Sequence, residues 1–229
     1  MSMSSTQYAR MAMTSVILVL TAAAAATSAP KPLPAPKPSP APTPPPSATI
    51  GLPAPQLTLI DIDDQTHQLS DYAGRIVVLE WFNAECPYSG RRSPHSIHSS
   101  GKASSLRKNL HAVDPQVMYL IIDSTARNHK KAAVIAGNQS ARKSWKIEAP
   151  ILIDFDGKVG RSYKAQTTPH MFVIDTAGIL RYQGAFDDDR KNKSGETATN
   201  YVLEAVKKLK VGELPAPSNM RPWGCGVKY

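Results

Sequence analysis

The sequence predicts an α/β layered domain, and three observations carry that prediction. Short apolar, β-branched runs alternate with stretches of helical periodicity. Two of those runs, Ile76 to Phe82 and Val117 to Asp123, are almost continuously apolar. A third, near the C-terminus, repeats apolar residues at Val202, Ala205, Val206 and Leu209, the spacing of a helix with one buried face. A strand that is apolar on both sides needs helices on both faces of its sheet, so the layers follow.

The chain divides into three parts before any element is placed. Residues 1–26 hold one basic residue, Arg10, then the apolar run Met11 to Ala26 ending in Ala24-Ala25-Ala26. A basic start, a short apolar middle and a small-residue cleavage site are the layout of a secretory signal. The run is shorter than the roughly 20 residues that cross a bilayer. The mature chain is therefore expected to be periplasmic or secreted and not membrane-spanning. Residues 27–55 contain 12 of the 20 prolines, a density that no helix or central strand tolerates. They are expected to form a disordered, extended linker. Residues 56–229 remain, enough for one domain with a sizeable core.

Within that domain the elements follow in order. Gln56 to Ile60 and His67 to Leu69 flank an Asp-Asp-Gln turn and predict an edge hairpin. Ile76 to Phe82 is a buried central strand, followed by a loop with Cys86 and a helix over Ser104 to Leu110. Val117 to Asp123 is the second buried strand. Lys131 to Ile147 is helical with an interruption near Gly137, and Ile151 to Asp154 is a short strand before the turn Asp156-Gly157. His170 to Asp175 and Ile179 to Gln183 are strands around Thr176-Ala177-Gly178. The final helix is closed by Gly212.

The formal charge of +9 is spread along the domain, with no basic stripe interleaved with aromatics. Together with export this argues against a nucleic-acid partner and for a solvated surface. Only two cysteines occur, Cys86 and Cys225, and in an oxidising compartment a structural bridge is the plain expectation. Cys86 stands four residues past a buried strand. If a helix follows directly, its N-terminal N–H groups stabilise a thiolate there, with Arg91 and Arg92 adding to the effect.

Glu80-Trp81-Phe82-Asn83-Ala84-Glu85-Cys86-Pro87-Tyr88 resembles the strand and active-site loop of the AhpC/TSA redoxin group of thioredoxin-like proteins. Thr167 to Asp175 and the C-terminal Gly224-Cys225-Gly226-Val227-Lys228-Tyr229 resemble the same group. The resemblance implies a thioredoxin-like fold, a central mixed β-sheet flanked by helices, over Gln56 to Tyr229. It implies that Cys86 is the attacking cysteine and that Pro169 is a cis-proline packed against it. It further implies that the Thr168 backbone offers a pairing edge to a substrate peptide, and that Glu80 is a buried acid able to move a proton for a leaving thiol. The plainer reading of Glu80 is a strand-end acid paired with a lysine.

Two departures qualify the resemblance. Ser89 stands where a C-x-x-C motif has its second cysteine, which leaves Cys225 as the one intramolecular partner for Cys86. A Cys86–Cys225 bond would close a loop worth about 5 kcal/mol on the chain-entropy model, as a resolving couple or as a static staple. Leu79 and Asn83 stand where the peroxidase loop P-x-x-x-T-x-x-C has its proline and threonine.

The expected function is thiol-disulfide exchange or oxidant reduction at Cys86, with protein or small-molecule disulfides, thiols or peroxides as partners. A peroxiredoxin-like peroxidase is one alternative. The other is a non-catalytic binding module, or a copper carrier in which His95 and His98 join Cys86. No cofactor is expected. His170 is expected to face outward from its strand, and Asp187, Asp188 and Asp189 to form a solvated turn.

Overall fold

The computed structural model describes residues 47–229, Arg127 excepted. The expected signal peptide and most of the expected linker lie outside the described residues. At the centre is β3 (Val77–Trp81), all five residues buried. It runs parallel to β4 (Met118–Asp123), and β4 runs parallel to β5 (Ile151–Ile153). On its other side β3 pairs antiparallel with β7 (His170–Ile174), which pairs antiparallel with β8 (Leu180–Gly184). The hairpin of β1 (Thr58–Asp61) and β2 (Thr66–Gln68) joins β5 through β1, so β2 forms one outer edge as expected. A separate two-stranded ribbon pairs β6 (Thr167–Thr168) with β9 (Cys225–Gly226).

Helices α1 (Lys102–Val113), α2 (Lys131–Trp145), α3 (Lys158–Tyr163) and α4 (Tyr201–Lys210) complete the chain. Side chains alternate across a strand, and β3 shows the consequence. Val77, Leu79 and Trp81 enter one apolar cluster with Leu120, Ile122, Phe172 and Tyr163 of α3. Val78 enters the other, with Ile121, Val173, Leu106 and Leu110 of α1, and Val202 and Val206 of α4. Glu80 has the parity of Val78, so it points into this second cluster. Each such aliphatic or aromatic side chain contributes about 1.5–3 kcal/mol by leaving water, which fixes the register against a one-residue slip.

Three expectations change. The ordered domain begins before Gln56: Ala48 and Ala54 are buried. The amide of Gly51 donates to Leu180 O at 2.8 Å, and that of Ala54 to Gly178 O at 2.9 Å. Proline density falls after Pro46, and the freed amides line the start of β8. Helix α2 runs through Gly137 without a break, because a mid-helix glycine costs only about 1 kcal/mol against alanine. Helix α3 was not expected from the sequence. It spans six residues and is started by Asp154, whose carboxylate accepts the N–H groups of Val159 and Gly160 at 3.2 and 2.8 Å. At the end of α4, Gly212 takes φ +77° and Glu213 N–H returns to Lys208 O at 2.9 Å, a helix stop of the expected kind.

Candidate active site

Cys86 lies on a coil of turns between β3 and α1, not at a helix N-terminus as the sequence suggests. The segment after it carries Pro87, Gly90 and Pro94 among several serines. The prolines lack a donor, the glycine is a poor helix former and the serines offer the backbone side-chain alternatives, and α1 starts only at Lys102. The coil is held tightly nonetheless. Asn83 O accepts the N–H groups of Cys86 and Gly90, both at 3.1 Å. The Asn83 side chain donates to Thr125 Oγ1 and accepts from Glu85 N–H, each at 2.7 Å. Gly90 is required by space, since a Cβ there would stand 2.5 Å from Phe82 Cζ.

The Cys86 thiol is buried, donates to Thr168 O at 3.0 Å, and accepts from Tyr88 N–H at 3.4 Å. The Thr168–Pro169 peptide is cis. Thr168 pairs across the β6–β9 ribbon with Cys225. Two cysteines 139 residues apart in sequence thus meet the same residue, Cys86 through its sulfur and Cys225 through its backbone, and both are free thiols. Together they line a cleft of about 420 Å³ with Asn83, Glu85, Asn128, His129 and Lys228. Burial raises the Cys225 thiol, and the Cys86 sulfur beside it raises it further, against the pull of Lys228 and Arg190. Cys225 therefore keeps its proton at neutral pH. Arg92 does not serve the thiol: its guanidinium lies over the Trp145 ring at 5.0 Å. Arg91 is exposed.

Glu80 is fully buried and is not paired with a lysine. Its Oε1 meets His98 Nε2 at 2.8 Å, and its Oε2 accepts the Tyr119 hydroxyl at 2.7 Å. Register explains the second contact: Tyr119 pairs with Val78, two residues before Glu80 on the same face. The backbone N–H of His98 also reaches Ser89 O at 3.4 Å, tying this buried acid to the Cys86 coil. Burial beside Glu80 pushes the Tyr119 hydroxyl well above its ordinary value, with Arg107 opposing.

His98 and Tyr119 are partners that sequence reasoning does not assign to Glu80. The only signal available was that Tyr119 lies in the second buried strand. His98 was a candidate copper ligand, but its Nε2 is committed to Glu80, while His95 stacks on Tyr88 at 5.9 Å. Among the described residues no group of three or more His, Cys, Asp or Glu side chains is arranged to hold a metal ion.

Two further expectations are corrected. His170 faces inward, its ring tilted against Phe172 at 4.5 Å and accepting Gln166 N–H at 3.2 Å, and burial pushes its imidazole down to about 3. It belongs to β7, whose five residues are all covered by the layers on both sides. Asp187 and Asp189 are buried around Lys102 Nζ at 2.8 and 3.1 Å, and only Asp188 is exposed. Trp223 Nε1 donates to Asp187 O at 2.8 Å, which packs the C-terminal segment against this cluster.

A mixed sheet flanked by helices, with a cysteine coil after the central strand facing a cis-proline turn, defines a thioredoxin-like protein. The model of the AhpC/TSA family matches residues 50–183. That is more than half of the chain, and the chain belongs to this family. Cys86, Thr168 and Pro169 fall within the match, and Cys225 lies beyond it.

Among solved structures, the chain is similar to a hypothetical protein from Sinorhizobium meliloti 1021, at 20% identity and a TM-score of 0.67. The match covers 80% of this chain and 96% of that one. It is similar to an uncharacterized conserved protein from Geobacillus kaustophilus at 22% identity and a TM-score of 0.63, over 79% and 92% of the two chains. It is also similar to the thioredoxin domain of a thiol-disulfide oxidoreductase from Bacteroides vulgatus, at 21% identity and a TM-score of 0.47, over 64% and 95%. A comparison with curated proteins finds no match. Among the described residues no helix is long and apolar enough to cross a membrane.

Proposed function

We propose that the chain is an exported thiol oxidoreductase in which Cys86 is the redox-active nucleophile and Cys225 its resolving partner. The observation that supports this reading is the shared cleft: two free thiols, distant in sequence, line it together beside Thr168. The Cys86 thiolate attacks one sulfur of a disulfide, that S–S bond breaks, and one thiolate leaves. The mixed disulfide so formed is attacked at the Cys86 sulfur by Cys225 after it gives up its proton, and the second thiolate leaves. The net exchange turns the protein dithiol into a disulfide and the substrate disulfide into two thiols. Thr168 and Pro169 position the Cys86 sulfur, and Glu80, reached through His98, is the group proposed to relay a proton to the leaving thiol.

Peroxide is the weaker substrate class. Asn83 stands where a peroxide loop has a hydroxyl, and both ends of its amide are committed to Thr125 and Glu85. The basic and apolar layout of residues 1–26 supports export to a periplasmic or secreted location, which mass measurement of the mature N-terminus checks.

The test is trapping. Reduced Cys225→Ser protein mixed with a disulfide should accumulate an adduct on Cys86, seen as a mass increment of one substrate half. Cys86→Ser protein should form none, and wild-type protein should pass through the adduct to an internal bridge. A Cys86 that reacts with disulfides no faster than free cysteine sinks the reading.

A further inference from the structure

The resemblance implies that the backbone of Thr168 is an open edge on which a substrate peptide pairs. In the structure that edge is closed by the chain itself. Residues 224–229 run along it: Thr168 pairs with Cys225, and Thr167 with Gly226. Val227 N–H donates to Gln166 O at 3.1 Å, and Ala126 N–H to Lys228 O at 2.8 Å. Tyr229 ends the segment with its hydroxyl on Ala165 O at 2.9 Å and its ring under Arg161 at 4.8 Å. The Tyr229 ring needs Gly160, where a Cβ would stand 2.6 Å from its Cε1. At the other end Gly224, at φ +136°, passes so close that a Cβ would lie 2.2 Å from Thr168 O. The segment is fastened at both ends and along its middle.

An extended polypeptide binds a strand edge through backbone hydrogen bonds, and here those partners are taken. What stays open to Cys86 is the cleft of about 420 Å³, whose free rim carries Glu85, Asn128, His129 and Lys228. That volume fits a small molecule and not a folded chain. A rim that holds a carboxylate, an ammonium and an imidazole matches a ligand bearing both charges.

Resting on the thiol-exchange reading above, we infer that the substrate is a low-molecular-weight disulfide, and that the C-terminal segment excludes protein disulfides by occupying the Thr168 edge. With cystine as the probe, the Cys86 thiolate forms a mixed disulfide and releases one cysteine. Cys225 then releases the second, so two electrons pass from the protein dithiol to cystine.

The experiment measures single-turnover oxidation of the reduced full chain by cystine and by insulin, each relative to free cysteine as the attacking thiol. The wild type should favour cystine over insulin at least about 100-fold. Two variants lift the segment by different routes, Gly224→Val through the contact with Thr168 O and Tyr229→Ala through loss of the terminal anchor. Amide exchange at Val227 and Ala126 reports the release. Either released variant should bring the preference down at least about tenfold, by gaining on insulin. A wild type that oxidises with insulin as readily as with cystine overturns this inference and leaves thiol exchange standing. So does a released segment with no gain on insulin. A Cys86 that is no faster than free cysteine with both probes, in all three proteins, overturns both.

Discussion

Tyr119→Phe removes a single oxygen from the buried network behind the cysteine coil. The hydroxyl donates to Glu80 Oε2 at 2.7 Å, Glu80 is fully buried, and its other oxygen is occupied by His98 at 2.8 Å. The phenylalanine ring keeps the apolar contacts of Tyr119 and its place beneath Arg107, 5.7 Å away. The change therefore isolates one acceptor left without a donor. Such an orphaned buried group costs about 1–3 kcal/mol, so the expected loss is about 2 kcal/mol. At about 2–4 °C per kcal/mol for a domain of this size, the melting temperature should fall by about 4–8 °C. Urea denaturation of the full chain measures the free energy, and an unchanged m-value shows that both states keep their exposed surface. A double-mutant cycle with Glu80→Leu, which removes the acceptor, assigns the energy to the pair, with a coupling of about 1 kcal/mol or more. A loss under about 0.5 kcal/mol, or a coupling near zero, refutes the argument that this hydroxyl satisfies Glu80.

Acid stability should report His170. Its folded-state value of about 3 lies below the unfolded value of about 6.5, so its contribution is complete above pH 6.5. It is lost as the pH falls from there toward 3, by up to about 1.4 kcal/mol per pH unit. His170→Asn should make the stability curve shallower between pH 6.5 and 4, and an unchanged slope in that window would count against the buried imidazole. Lys102→Met should cost about 3 kcal/mol, since it strands two buried carboxylates at Asp187 and Asp189. Those carboxylates resist ionisation once unpaired, so the deficit should be larger at pH 7 than at pH 4. Equal deficits at the two pH values, by urea denaturation, would show that the cluster is hydrated instead.

How much was legible follows from the range over which each interaction acts. The strands β3, β4 and β7 stand out as apolar runs because each is covered on both faces, and a two-face covering writes itself into consecutive residues. The edge hairpin and the stop of α4 are local too: Asp61 accepts the N–H groups of Asp63 and Gln65, Asp64 takes φ +61°, and Gly212 turns the chain at the helix end. Helix α3 escapes because six residues hold too little periodicity, and its start depends on Asp154 accepting two amides. The polar residues are the hardest to read for the same reason in reverse. Asp187 and Asp189 look like a solvated turn until Lys102, 85 residues earlier than the first of them, is brought between them. His170 looks outward-facing until both faces of β7 are covered.

The site divides along the same line. A cysteine after a buried strand, a Thr-Pro pair before another, and a second cysteine near the end are properties of the sequence alone. Each is a short-range pattern, and together they mark the family. Only the tertiary structure decides that the coil at Cys86 is not a helix start, that Glu80 meets His98 and Tyr119, and that Cys225 occupies the edge beside Thr168. Those facts rest on strand register and on the return path of a tail, where contacts join residues tens to more than a hundred positions apart. No local preference along the chain encodes such pairings, because they arise only when the sheet assembles and its free edges find partners.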